Sequence, residues 1–333
     1  MRRILRISAV LGVLLAATAV ASARLRAPAA KGTPPASPGA ARLDPSKTLR
    51  YLGEWARRDR WDAFPESPSF AYYNLYSTRA LGGAVSPALR SQVANYLRRC
   101  QAADGGFTMA PGQGESHVVP TLFALRALAL AGALDAVDRP RAAAFLSRLT
   151  RFDGGYVGRA ADEDASLGTT YHALAALELL GALDRVDRVR AAAYVSSHLT
   201  ADGGFALRPG MIASPAGTFM AVRALKLLGA LTPTTSDAVV RHLSTSRYSG
   251  RAREGTFAGL PEIEDEAHVL ATLADLGRLD VVDRAQVERF VTSLYVAENG
   301  GFGPQPGLGT TPPSTYHAVA CLVALGRLPE PRG

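Results

Sequence analysis

A Gly-Gly-aromatic signature recurs along the chain: Asp104-Gly105-Gly106-Phe107, Asp153-Gly154-Gly155-Tyr156, Asp202-Gly203-Gly204-Phe205 and Asn299-Gly300-Gly301-Phe302. The first glycines of successive copies stand 49, 49 and 97 residues apart, and the double interval holds a degenerate fifth copy, Glu254-Gly255-Thr256-Phe257. A fixed period of this length marks a repeat architecture, in which each unit buries its apolar face only by stacking on its neighbours. Paired glycines allow positive φ and close backbone approach, and the aromatic that follows can plug the joint between neighbouring units.

The material between signatures predicts helices. The segments GALDAVDR (132–139), GALDRVDR (181–188) and GRLDVVDR (277–284) are near copies. In each, the glycine can end one helix in the left-handed conformation, while an aspartate accepts hydrogen bonds from the free N–H groups of the next. Apolar periodicity places one helix set at 45–58, 87–100, 138–149, 187–198, 235–245 and 282–295, and a second at 68–82, 116–133, 168–182, 214–230, 265–278 and 313–327. The second set is apolar nearly all round and predicts an inner layer, and the arginine-bearing first set predicts an outer layer facing water. Arg126 and the short length argue against a membrane span at 118–134.

The chain's 333 residues, 47% hydrophobic and 20% charged, suit a globular fold with a substantial core. Its start reads differently. Arg2, Arg3 and Arg6 precede the run ISAVLGVLLAATAVA, and Ala21-Ser22-Ala23 fits a cleavage site, so residues 1–23 are expected to be a signal peptide and the protein secreted or periplasmic. Left uncleaved, that segment would hold the protein near a membrane. Residues 24–43, rich in Pro, Ala and Gly, read as a disordered tether, and the folded domain is expected over 44–330. Three of the positive charges behind the formal +8 belong to the signal, and no basic run is interleaved with aromatics, so nucleic acid is not expected as a partner. Two cysteines, Cys100 and Cys321, are too few for a disulfide framework and read as packed thiols.

With these repeats, the segments CQAADGGF, RFDGGYVGR, LPEIEDEAHVLATLADLGRLDVVDR and ENGGFGPQPG resemble the β subunit of protein prenyltransferases, in particular that of the Rab geranylgeranyltransferase. More distantly, the repeat is similar to that of squalene and other triterpene cyclases. The resemblance covers about residues 45–328 and implies an all-α fold, an α/α toroid of six inner and six outer helices around a central cavity. A hydrophobic, isoprenoid-like small molecule is the ligand it implies.

The resemblance also implies where chemistry would sit. Prenyltransferases of this family hold zinc with an Asp, a Cys two residues later and a His on the last inner helix, and the metal activates a substrate thiolate. Here Glu262 stands at the Asp position, Glu264 at the Cys position and Ser314 at the His position, with His317 three residues on. The zinc site thus reads as degraded, and a divalent ion on Glu262 and Glu264 could as well be Mg²⁺, Ca²⁺ or Mn²⁺. The family's diphosphate loop carries Arg and Lys, whereas GTFAGLPE has neither, and Arg251 and Arg253 lie upstream. A family Glu-Ser-His is present as Glu115, Ser116 and His117, one repeat early. Against the cyclases, EIED (262–265) takes the shape of their Asp-x-Asp-Asp motif, with Glu264 as proton donor and His268 one turn later, and DEDA (162–165) is a poorer copy.

One pattern rests on the repeat alone. His172, His268 and His317 each precede a helix-ending glycine by nine residues, and Tyr73, Phe123 and Met220 hold that place elsewhere. Equivalent positions predict one height in a ring, so His268 and His317 should approach each other, with Glu264 one turn away, as a metal or acid-base group. Tyr72, Tyr171, Phe219 and Tyr316, one residue earlier, predict an aromatic belt. Catalysis is therefore expected at Glu264, His268 and His317, and ligand contact at His117, Tyr171, His172, Phe219 and Tyr316. Plainer readings stand beside these: first-turn carboxylates such as Asp265 and Glu266 complement a helix dipole, and duplication copies core histidines without copying function. Three functions fit: a toroid handling an isoprenoid ligand, a scaffold binding a peptide or partner protein, and an acid-type or metal-assisted enzyme.

Overall fold

In the computed structural model, residues 43–58, 67–245 and 262–331 are described, and these form helices with no strand among them. The α-helices are α1 (Pro45–Arg58), α2 (Pro68–Ala80), α3 (Pro87–Cys100), α4 (Val118–Ala131), α5 (Arg139–Ser147), α6 (Leu167–Leu179), α7 (Arg188–Ser196), α8 (Pro215–Leu228), α9 (Pro233–Thr245), α10 (Ile263–Asp275), α11 (Arg284–Ser293) and α12 (Pro312–Ala324). All twelve fall where periodicity places them. The signal segment, nearly all of the tether, Arg251, Arg253 and the degenerate copy at 254–257 lie outside the described residues. No helix among the described residues is long and apolar enough to cross a membrane.

The even-numbered helices close on themselves. α2 packs on α4, α4 on α6, α6 on α8, α8 on α10, α10 on α12, and α12 back on α2. The odd-numbered helices back them from outside, giving an α/α toroid. The turns follow the expected chemistry. Gly132, Gly181 and Gly277 have φ of 65°, 68° and 68°, and Asp138, Asp187 and Asp283 accept from the N–H groups of Arg141, Arg190 and Gln286 at 2.9, 3.1 and 2.9 Å. A short 3-10 turn, such as Leu183–Arg185, separates glycine from aspartate.

The signature motif is the joint between repeats. In the second copy, the Asp153 carboxylate accepts from the Gly155 N–H at 2.9 Å, and Gly154 takes φ 91° with its Cα flush against the Arg190 carbonyl group at the start of α7. The aromatic then turns into the core: Phe107, Phe205 and Phe302 are fully buried and Tyr156 nearly so. Each is worth about 1.5–3 kcal/mol in apolar burial. Burying these residues would orphan their backbone N–H groups, so each is met by a threonine hydroxyl from the following inner helix: Thr121, Thr170, Thr218 and Thr315, at 3.0–3.1 Å. On α10 the equivalent residue is Glu266, a buried acidic residue of the helix's first turn.

The last joint closes the ring. Gly300 and Gly301 lie against Lys47 and Tyr51 of α1, as Gly154 and Gly155 lie against Arg190 and Tyr194. Thr48 Oγ1 donates to the Gly300 carbonyl at 2.8 Å and Lys47 Nζ to Ala297 O at 2.5 Å. Cys100 and Cys321 are free and buried in separate clusters.

Candidate functional site

Six side chains nine residues before the helix-ending glycines converge on the ring interior. Tyr73 meets Phe123 (ring centroids 5.5 Å), and Phe123 meets His172 (6.0 Å). On the other side His268 meets His317 (5.9 Å), and His317 returns to Tyr73 (6.0 Å). Met220 completes the series and reaches toward Gly168 on α6. The residues one position earlier thicken this collar: Tyr171 packs edge-on to Phe219 (5.7 Å), Phe219 on His268 (4.9 Å), and Tyr316 stacks on Tyr73 (4.4 Å). Tyr72 touches both Phe123 and Tyr316. Tyr72, Tyr73, Phe123, Phe219, Met220, His268 and Tyr316 stay only half-buried although they lie mid-helix in the inner layer, so they line a hollow.

The histidines of this collar are neutral. Burial pushes His172 and His268 down to about 4 and His317 to about 3, the last helped by neighbouring His268. His172 Nδ1 lies 2.6 Å from the Gly168 carbonyl, which fixes the proton there and turns Nε2 away from its own helix backbone. His268 Nδ1 is buried with no hydrogen-bond partner among the described residues. Glu264, one turn before His268, has its carboxyl raised above the ordinary range by burial and by Asp265 and Glu262, and its charge is felt at the Tyr73 hydroxyl.

A second layer lies one turn further along the inner helices, and sequence reading passed over it. Six residues before the glycines stand Tyr76, Arg126, Ala175, Arg223, Ala271 and Ala320. The Arg126 guanidinium donates to Tyr171 Oη at 2.8 Å and lies over the faces of Tyr72 (5.6 Å) and Tyr171 (5.9 Å). Arg223 covers Phe219 (4.6 Å) and pairs with Asp275 at 2.6 Å, and Lys226 reaches the same carboxylate at 3.4 Å. Burial alone would raise the Tyr171 hydroxyl, but Arg126 and Arg223 outweigh it and hold it below its ordinary value. The repeat offset that exposed the histidines would have exposed this layer as well.

The other expected residues divide. His317, His268 and Glu264 share one side of the interior, and Tyr171, His172, Phe219 and Tyr316 belong to the collar. His117 instead caps α4, its Nδ1 accepting from the Val119 N–H at 3.1 Å, with Gly158 so close that a side chain there would strike the imidazole. Its neighbours are also committed: Ser116 donates to Asp104 at 2.7 Å, and Glu115 pairs with Arg159 at 3.8 Å. Glu262 precedes α10 and accepts from Gln305 at 3.4 Å, and Ser314 is engaged with Thr311 at 2.7 Å. Among the described residues no group of three or more His, Cys, Asp and Glu side chains is placed to hold a metal ion. Glu262, Glu264 and Ser314 offer oxygen donors, with no Cys or His among the three.

The chain matches the prenyltransferase alpha-alpha toroid domain over residues 46–332. Among solved structures it is similar to the protein geranylgeranyltransferase-I of Candida albicans in complex with GGPP, with 17% identity over 85% of this chain and 92% of that one and a TM-score of 0.69. It is also similar to a variant of the type II terpene cyclase MstE of Scytonema in complex with geranylgeranyl dihydroxybenzoate: 12% identity, 85% and 96% covered, TM-score 0.57. A third likeness is to ent-copalyl diphosphate synthase of Streptomyces platensis, with 23% identity over 78% of this chain and 50% of that one and a TM-score of 0.52. At these identities the likeness shows the fold. No curated protein matches the chain by sequence.

Proposed function

Because the chain belongs to the prenyltransferase alpha-alpha toroid family, we propose that its ring takes up an isoprenoid or similarly apolar ligand, without the zinc-thiolate chemistry of protein prenyl transfer. The observation that carries this reading is the collar: a ring of aromatic faces and neutral imidazoles that offers apolar contact on every side and no net charge. An unsaturated chain suits such walls, since its flat alkene units pack against ring faces and its burial is worth about 0.8 kcal/mol per CH₂. The fold neighbours bound to GGPP and geranylgeranyl dihydroxybenzoate support the ligand class.

An acid-type cyclase is the weaker reading. Alkene protonation demands a carboxylic acid made stronger by its surroundings, whereas burial and two flanking carboxylates make Glu264 a weaker one. The peptide-scaffold reading has no observation of its own beyond the ring. Export is part of the proposal on sequence grounds: the arginines at 2, 3 and 6, the apolar run and Ala21-Ser22-Ala23 support a mature protein that starts near Arg24.

Calorimetric titration with geranylgeraniol tests the reading. One-site saturable binding is expected, and filling the hollow with Ala320→Trp should abolish it while the helical circular dichroism stays intact. Absence of binding to the folded wild type sinks the proposal, as does stoichiometric zinc together with prenyl transfer to a cysteine peptide.

A further inference from the structure

The second interior layer has an asymmetry that packing alone does not require. At the level six residues before the glycines, three inner helices carry large polar groups, Tyr76, Arg126 and Arg223, and three carry alanine. In the ring order α10 stands opposite α4, so the alanine facing Arg126 across the interior is Ala271, with Ala320 beside it on α12. Both alanines remain half-buried mid-helix, as does Arg126, so all three border the hollow of the ring.

The charges around that space do not cancel. Asp275 is taken by Arg223 and Lys226. Glu330, on the segment after α12, lies close enough to Arg223 and Asp275 to feel both, and it also acts on Tyr76. Arg126 has no carboxylate partner among the described residues; it holds only the Tyr171 hydroxyl and the faces of Tyr72 and Tyr171. Tyr171, which accepts from Arg126, also feels the charge of Arg223, whose guanidinium covers the neighbouring Phe219. A half-buried cation with spare N–H donors, turned toward a hollow, meets an anion there at favourable geometry. The opposite end of the interior carries Glu264, which disfavours a negative group, and the collar between them is neutral.

We propose that Arg126, positioned by Tyr171 and seconded by Arg223, binds the acidic head group of the ring's ligand, a carboxylate or phosphate monoester on an apolar chain that runs back through the collar toward Glu264. The inference rests on the apolar-ligand reading and adds the ligand's charge and its direction in the ring. The head group lies at the C-terminal ends of the inner helices, away from the Glu262 and Glu264 end, where the resembled prenyltransferases keep their metal.

The test compares three probes of one chain length on the full protein at pH 7.5: geranylgeraniol, geranylgeranoic acid and geranylgeranyl monophosphate. The acid and the phosphate should bind at least about tenfold more tightly than the alcohol, the expected scale for a charge-assisted hydrogen-bond pair. Arg126→Met should bring the acid-to-alcohol ratio to near one, and Arg126→Lys should keep most of it. Asp275→Asn, which releases Arg223 from its carboxylate, should raise the ratio and gives a second reading if Arg126→Met does not fold. Equal binding of acid and alcohol by the wild type overturns the head-group assignment and leaves the apolar-ligand reading standing. A ratio that survives in a folded Arg126→Met variant overturns it also, and failure of all three probes to bind removes both.

Discussion

Acidification should unfold this protein earlier than its carboxylates alone would, because the fold holds the three collar histidines neutral. His172 and His268 have folded-state values of about 4 and His317 of about 3, against about 6.5 in an unfolded chain. A depressed histidine favours the neutral form in the fold, so between pH 6.5 and 4 the unfolded chain binds more protons and stability falls as pH falls. At pH 5 the unfolded form of each histidine is nearly fully protonated while the folded form is not, which costs roughly 2 kcal/mol per residue, or roughly 6 kcal/mol for the three. That is a large share of an ordinary domain stability of about 5–15 kcal/mol. Glu264 and Glu330 work the other way, since a carboxyl raised in the fold is relieved by protonation, and they offset part of the loss. Urea denaturation followed by circular dichroism between pH 8 and 5 should show the midpoint falling steeply below pH 6.5. The His172→Phe, His317→Phe double variant should lose a large part of that dependence, the rest coming from His268 and from His117 and His198, which burial also lowers. A wild type equally stable at pH 7 and 5, or a double variant with unchanged slope, would refute the reasoning.

Other outcomes follow from the joints and the ring. Gly154→Ala forces a Cβ into the Arg190 carbonyl at φ 91° and should cost several kcal/mol, on the order of 3, read as a lowered thermal midpoint. Gly181→Ala, at φ 68° with open space around it, should cost only about 1 kcal/mol. Thr170→Val keeps the shape of the side chain but leaves the buried Tyr156 N–H unpaired, for a loss of about 1–3 kcal/mol in chemical denaturation. Thr315→Val should cost a similar amount at the closing joint, and a negligible loss at either threonine would mean that the hydroxyl is not what satisfies the aromatic's backbone.

Much of the architecture was legible because repeats write the same physics several times over. One Gly-Gly-Phe would be a loop; four at a regular interval fix where each joint falls, and the paired glycine and aspartate of GALDRVDR fix where each helix stops and starts. The collar was legible for the same reason, since residues at one offset from a helix-ending glycine must share one height. His117, marked by its motif as a ligand contact, caps α4 through Nδ1, a role that any histidine just before an inner helix can take. Arg126 was noticed only as a reason against a membrane span.

By itself, then, the sequence determined the helix hairpins, their order and the residues that stand at equal heights, because caps, positive-φ glycines and apolar periodicity are local properties. Tertiary structure alone decided what lies across the ring from what. That Gly300 closes on Lys47, that Tyr171 on α6 accepts from Arg126 on α4, and that Arg223 on α8 pairs with Asp275 on α10 are relations between helices far apart in the chain. No offset within one repeat contains them. They depend on six inner helices meeting in a closed circle.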